Sequence, residues 1–441
     1  MDSTLNFLLN AWRNPLSPKR AWWAFALVLL VIPLPLGFSN IALVLFVLAS
    51  IIYCYNQRIF RFTHVTVVPM LLFVFMAASW FWSIDKGLTG PAISKELSLL
   101  LIPLAFSLLP AMRPAYRQKI LYIYGIGYAI FAFLCQVRAV LRYLFGVGEH
   151  VFYYHELVSL EVNAIHVSVF AAVAFFVLIT RPVREAHDYA GMAVLVSFIV
   201  FLSSKNVSLV FLFLVAVYVL FNSWGKKKQS FLILGSILGA LIFLMAFNKK
   251  LNERLREEYK TMFEHNTINQ EMSSYKGLVY NVSIDQAWNQ EKFEPEQYFP
   301  GAAFRVYQAR VFRDIMTRDN VWYYGYGLNA SYPKIGERGK ELNVYQGDGA
   351  KSGYNQLNFH NQYLQIFAEL GVFGLFILLW MLMYSLYKGL WNKDFVHISF
   401  TVLMITVFLT ESFLWRQRGM TFFIALYCLF NAAPLAKRRI V

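Results

Sequence analysis

Charge is scarce in this chain of 441 residues: Asp, Glu, Lys and Arg make up 15%, where soluble domains carry about 25%. Hydrophobic side chains make up 58% and the mean hydropathy is +0.48, which excludes a soluble globular enzyme and equally a disordered chain. Cysteine is scarce too. Cys54, Cys135 and Cys428 lie in or beside apolar runs and form no CxxC pair, so a secreted disulfide framework is excluded. No GxxxxGK[ST] loop occurs, so nucleotide hydrolysis powers nothing here, and neither HExxH nor the acidic cluster of a metal-activated glycosyltransferase is present. The apolar runs are continuous and lack the two-residue alternation of outer-membrane strands, which leaves helices. The first run closes on no A-x-A-like site, so Arg13, Lys19 and Arg20 are expected to lead into an uncleaved span.

Long apolar runs are abundant. They predict an all-α polytopic membrane protein with about twelve transmembrane helices, at 21–36, 40–55, 65–82, 93–109, 119–145, 160–180, 190–204, 206–222, 229–247, 360–387, 395–414 and 419–435. The seventh and eighth spans are separated only if the chain turns at Ser203-Ser204-Lys205-Asn206. The net charge of +15 is distributed as short clusters between runs, a membrane-topology pattern and not a nucleic-acid one. With the N-terminus inside, Arg58/Arg61, Arg113/Arg117/Lys119, Arg181/Arg184, Lys226 to Lys228, Lys388/Lys393 and Lys437 to Arg439 all fall on the cytoplasmic side. Three parts follow: 1–247 with spans one to nine, a large external loop at 248–359, and 360–441 with spans ten to twelve and a cytoplasmic tail. Within the loop, apolar residues at helical spacing run through 302–313, and Tyr324-Gly325-Tyr326-Gly327-Leu328-Asn329 reads as a turn. So long a loop among short ones is expected to be functional.

One local pattern stands out. His360-Asn361 is followed, after nine residues, by Gly371-Val372-Phe373-Gly374, where the loop meets span ten. An imidazole at a membrane–water boundary can exchange protons near neutral pH, and glycines three apart permit close helix approach. An interfacial histidine with satisfied hydrogen bonds is the alternative.

This pattern resembles the signature of the bacterial O-antigen ligase family, which includes O-antigen polymerases and protein O-oligosaccharyltransferases. The resemblance extends to twelve spans, both termini inside and one large periplasmic loop between helices nine and ten, a GT-C-like arrangement. It implies a transferase of the bacterial inner membrane, acting at the periplasmic face without metal or cofactor. The glycan would pass from undecaprenyl diphosphate to a hydroxyl of lipid A–core oligosaccharide, with inversion. A polymerase using the same donor on another lipid-linked glycan is the nearest alternative. A flippase is the rival of another class, but transporters gather their charges at the bilayer midplane, and here they gather at the external boundary.

The resemblance makes His360 and Arg305 the catalytic candidates. Arg305-Val306-Tyr307 matches the family's arginine ahead of an aromatic residue, and a guanidinium can grip a diphosphate with two prongs. Asn361 and Tyr307 join them as substrate-binding candidates. Lys205 stands in the turn where the family commonly has an arginine, so the charge is kept and the fork is lost. Arg138 and Arg142 share one helix face near the external end of span five, and charge at that depth marks either a site or an anchor. Arg416 and Arg418 break the positive-inside pattern, with Glu411 close enough in sequence to pair with one of them. His166 and the pair Lys95/Glu96 complete the polar groups near that boundary, packing being the plainer reading of each. The expected partners are the lipid-linked donor, the lipid A–core or glycan acceptor and membrane lipid, with no nucleic acid.

Overall fold

The computed structural model describes residues 17–158, 162–222, 259–269, 272–273, 278–349 and 351–432, with 235, 239 and 256 singly. The expected ninth span, 229–247, lies outside the described residues but for two of them, as do the basic groups at 226–228 and 437–439.

Continuous apolar sequence makes helix after helix: α1 (Lys19–Val31), α2 (Leu36–Gln57), α3 (His64–Ala78), α4 (Lys86–Lys95), α5 (Ser98–Ser107) and α6 (Pro114–Leu144). A short α7 (Tyr154–Val158) precedes α8 (Ala164–Ile179), α9 (Ala186–Phe201) and α10 (Lys205–Asn222). Among the described residues, five stretches are long and apolar enough to cross a membrane: Leu36–Gln57, His64–Phe81, Lys86–Ser107, Pro114–Leu144 and Gln362–Trp391. With shorter apolar helices packed among them, this is the architecture of a helical polytopic membrane protein.

Burial follows position in the bundle. In α8 every residue but Ile165 is buried, under α6, α9 and α15 (Phe395–Val407). At the rim, α2 leaves Ile41, Val44, Leu48, Ile51 and Ile52 exposed, a face that lipid accepts and water does not.

Several breaks fall where local chemistry demands them. Pro33 and Pro35 separate α1 from α2: proline has no amide hydrogen to give to a helix, and the backbone turns extended at Pro35, φ −50° and ψ 143°. The turn at Leu202–Ser204 separates α9 from α10, with Ser203 in the left-handed region at φ 51°. The expected fourth span, 93–109, is instead two helices meeting at Glu96–Leu97, and Asp85 caps the first by accepting from the Leu88 amide at 3.0 Å.

A second core lies at one end of the bundle. It is built on α12 (Gly301–Asp319), with α11 (Ile284–Asn289) before it and α13 (Tyr332–Glu341) after it. A two-residue antiparallel pair, β1 (Thr267–Ile268) with β2 (Tyr280–Asn281), edges this unit. Helix α12 turns Ala303, Phe304, Tyr307, Val311, Phe312 and Ile315 inward against Phe293, Phe299, Ile335 and Phe359. Each such phenylalanine contributes ~1.5–3 kcal/mol relative to exposure in water. Ion pairs frame the outside: Arg318 grips Glu341 with both prongs at 2.7 and 2.8 Å, and Arg338 bridges Asp314 and Glu341. Those two arginines hold the Glu341 carboxyl down to about 2.

The unit is seated through a broken helix. In α14 (Gln362–Trp391) the backbone leaves helical geometry at Gly371, φ 65° and ψ −164°. Into the gap fits the turn 322–327: Val372 donates to the Trp322 carbonyl at 2.9 Å, Tyr326 to Ala368 at 2.8 Å and Gly327 to Glu369 at 2.9 Å. A Cβ at Gly371 would lie 2.0 Å from the Tyr323 carbonyl oxygen, so no other residue fits. The spacing of Gly371 and Gly374 suggests helix-to-helix approach; Gly371 instead admits a loop backbone.

Candidate active site

Three side chains from three separate segments converge where this unit meets the bundle. Glu411, just past α15, places Oε1 at 3.3 Å from Arg305 Nη2 and Oε2 at 3.6 Å from His360 Nδ1. The first is a charge-assisted hydrogen bond; the second is ion-pair range, longer than a hydrogen bond. Glu411 is nearly buried, with 11% of its side chain exposed, while His360 and Arg305 keep 32% and 34% open to solvent.

Local structure explains the placement. His360 sits in the left-handed region at φ 46°, held by its amide donating to Asn358 Oδ1 at 3.0 Å. Strain of this kind in a non-glycine residue persists only where the surroundings impose it. Asn361 then caps α14, its Oδ1 accepting from the Tyr363 and Leu364 amides at 2.9 and 3.1 Å while Nδ2 donates to the Leu409 carbonyl. The Phe304 ring meets the His360 ring edge to face at 5.3 Å. Arg305 is pinned at both ends, donating to the Gly301 carbonyl at 2.8 Å and the Thr410 carbonyl at 3.0 Å.

Thr410 brings in the fourth element. Its hydroxyl accepts from Asn206 Nδ2 at 2.8 Å, which fixes the N-terminus of α10, and with it exposed Lys205, beside the Arg305 contact. A half-open histidine, a pinned arginine, an exposed lysine and a helix N-terminus thus share one corner.

Residues 191–379 match the family model described as O-antigen ligase. The matched stretch is an O-antigen ligase family domain. It carries Lys205, Arg305, Tyr307, His360 and Asn361, and its membership supports glycosyl transfer of the O-antigen ligase or polymerase type by a membrane protein. No curated protein matches the chain.

The remaining candidates fall elsewhere. Tyr307 of the O-antigen ligase domain is fully buried among Phe293, Phe299 and Phe304, where it packs the core. Burial raises its phenol well above the ordinary value. Arg138 and Arg142 do share a face, but their guanidiniums are spent on the end of α7. Arg138 donates to the Leu157 and Val158 carbonyls, and Arg142 pairs with Glu156 Oε2 at 2.7 Å. They anchor the segment after α6, the second of the two sequence readings. His166 is buried and stacked on Phe413 at 4.0 Å, beneath the surface. Arg418 reaches the Leu34 carbonyl at 3.0 Å, whereas Arg416 is exposed.

Glu411 is the residue whose partners sequence reasoning missed. Proximity points to Arg416 or Arg418, but its partners lie 51 and 106 positions upstream. Its one sequence signal is a lone carboxylate at the end of an apolar run. The other arginines of α12 are committed: Arg310 is buried and donates to the Gln290 carbonyl at 2.7 Å, Arg313 lies over Trp288 and pairs with Asp314, and Arg318 grips Glu341. Among the described residues, no three His, Cys, Asp or Glu side chains gather as a metal site.

Proposed function

We propose that this protein is an O-antigen ligase that moves a glycan from undecaprenyl diphosphate to a hydroxyl of lipid A–core oligosaccharide. In this reading it has twelve spans in the bacterial inner membrane, with residues 248–359 as the periplasmic loop between the ninth and tenth and a GT-C-like arrangement. His360 takes the proton of the acceptor hydroxyl as its oxygen attacks the anomeric carbon. The bond from that carbon to the diphosphate breaks, and the leaving group departs with the electron pair, inverting the centre. Glu411 orients the imidazole and stabilises the imidazolium that forms, while Arg305 and Lys205, beside the α10 N-terminus, receive the diphosphate charge. No metal takes part, since the donor carries its own activated leaving group.

The observation that carries this reading is the bridge of Glu411 between half-open His360 and Arg305, at the corner where Thr410 also fixes Lys205. The test is a null mutant together with transfer from purified lipid-diphosphate donor in EDTA. Uncapped core in the mutant and metal-independent transfer in vitro are expected. Core capped with single units marks a polymerase instead, and dependence on added Mg²⁺ or Mn²⁺ contradicts the mechanism.

A further inference from the structure

Beside this corner lies a surface that the mechanism above does not use. Phe413–Trp415 form a 3-10 turn whose first two residues are buried, and the Leu414 amide donates to Gln362 Oε1 at 2.7 Å. The turn is therefore fixed to the start of α14, two residues beyond His360. Trp415 itself stays half-exposed, with the Tyr332 ring tilted 42° against it at 5.4 Å. The Asn358 side chain, which accepts the His360 amide, lies near the Tyr332 phenol. Lys95, at the end of α4 and exposed, holds its ammonium 5.6 Å from the Trp415 ring centroid, and exposed Arg416 follows Trp415 in sequence.

We infer that Trp415 and Tyr332, flanked by Lys95 and Arg416, form a subsite that seats an acidic sugar ring of the glycan next to His360. The argument is one of matched chemistry. A sugar ring offers a face of C–H groups, and a half-exposed indole backed by a second aromatic ring is a rigid platform for that face. An ammonium resting on an exposed ring is weakly held there, so it is free to move to a phosphate or carboxylate on the seated sugar. The acidic groups close by, Glu96, Glu369 and Glu411, are 4%, 4% and 8% exposed, and Glu411 is taken up by Arg305, so the charges offered to solvent are the two cations. Other aromatics, Tyr323 and Phe373 among them, are exposed without a cation and a second ring arranged as here. A platform tied through Leu414 to Gln362, two residues beyond His360, sets which hydroxyl of the seated glycan reaches the imidazole, and so selects the substrate.

The inference rests on the transferase reading for what the site does, but its test does not need turnover. The full-length protein in lipid nanodiscs is titrated with two probes: deacylated core oligosaccharide, and the glycan released from the donor by mild acid. Each is used with its acidic substituents intact and removed. Trp415→Leu is expected to weaken binding of one probe about tenfold in both its forms, while Trp415→Phe stays within about twofold. Lys95→Gln is expected to weaken only the acidic form, about threefold, and this exposed substitution leaves the fold intact. Loss confined to the core probe, with a raised KM for acceptor, assigns the subsite to the acceptor; loss confined to the released glycan, with a raised KM for donor, assigns it to the donor. Unchanged binding of both probes in Trp415→Leu overturns the inference, as does a fall in kcat with both KM values unchanged, which marks a packing joint. Variant-sensitive binding by a wild-type protein that transfers nothing keeps the subsite and sinks the ligase reading instead.

Discussion

Two histidines sit at opposite ends of the α14–α15 helix pair, and their surroundings differ in kind. His397 is fully buried, stacked on Phe430 at 4.8 Å, with Nε2 at 2.9 Å from the Ser385 hydroxyl. Ser385 in turn meets Thr401 at 2.9 Å and accepts from Asn431 at 3.2 Å, and Lys388 donates to the Asn431 carbonyl. Arg117 closes that end on Asp394 at 2.7 Å. His360, by contrast, has a left-handed backbone, a third of its side chain open and a carboxylate at 3.6 Å. A polar group between membrane helices does not by itself mark a site. The closed network spends its hydrogen bonds on joining α14, α15 and α16 (Gln417–Asn431); the open one leaves ring and guanidinium capacity for something that arrives.

The comparison breaks if the two histidines exchange roles on mutation. His360→Ala is expected to cut transfer by about 10²–10⁴-fold with an unchanged unfolding midpoint. His397→Ala is expected to do the opposite, lowering stability by roughly 1–3 kcal/mol by stranding the Ser385 cluster, with the rate per folded molecule preserved. Transfer rates normalised to folded protein decide between them.

Arginine sharpens the contrast. If Arg305 receives diphosphate through its fork, Arg305→Lys loses nearly as much as Arg305→Ala, on the order of 10²-fold. Lys205→Arg is expected to be tolerated or to improve donor use, and Lys205→Glu to be severe, measured as rate against donor concentration. Near-wild-type kinetics for both Arg305→Lys and Lys205→Glu sink the clamp. At the helix break, Gly371→Ala forces a side chain into a backbone conformation that costs ~1–3 kcal/mol before the clash is counted, so thermal stability should fall. The smallest effect lies furthest from the site. Because the Glu341 carboxyl sits at about 2 against an ordinary 4.5, its contribution is present above 4.5 and fades as pH falls toward 2. Its exposure keeps that contribution modest. Hydrogen-exchange protection of α12 and α13 in the full chain should decline across that window, and Glu341→Gln should flatten the decline.

Much of this was legible before any coordinates, for a physical reason: hydropathy and helical spacing are local. The continuous apolar runs, the helix over 302–313 and the turn expected at Ser203–Asn206 and found at Leu202–Ser204 all follow from neighbours in sequence. So does the pairing of His360 with Asn361, since a helix start needs a cap. What local reasoning cannot see is which distant element supplies a partner. Glu411 reads as a mate for Arg416 because both lie on one short segment, yet the folded unit brings Arg305 to it. Likewise Arg138 and Arg142 look like a free cationic face until the carbonyls of α7 come to rest on them. Glu96–Leu97 and Gly371 interrupt spans that hydropathy draws as unbroken, since an average over many residues hides a one-residue break.

The break at Gly371 also bears on how the chain is made. Backbone groups freed at 368–372 have no water to turn to in hydrocarbon, and their partners here are carbonyls and amides of 322–327, which leave the ribosome earlier. The stretch from Val372 to Trp391, about 20 residues, is by itself long enough to cross a bilayer, so the turn of helix from Gln362 to Leu370 need not enter lipid on insertion. It can wait at the surface and dock onto a unit already folded there. Assembly would then run outward from that surface, and His360, two residues ahead of the waiting turn, would take its left-handed shape only in the final docking step.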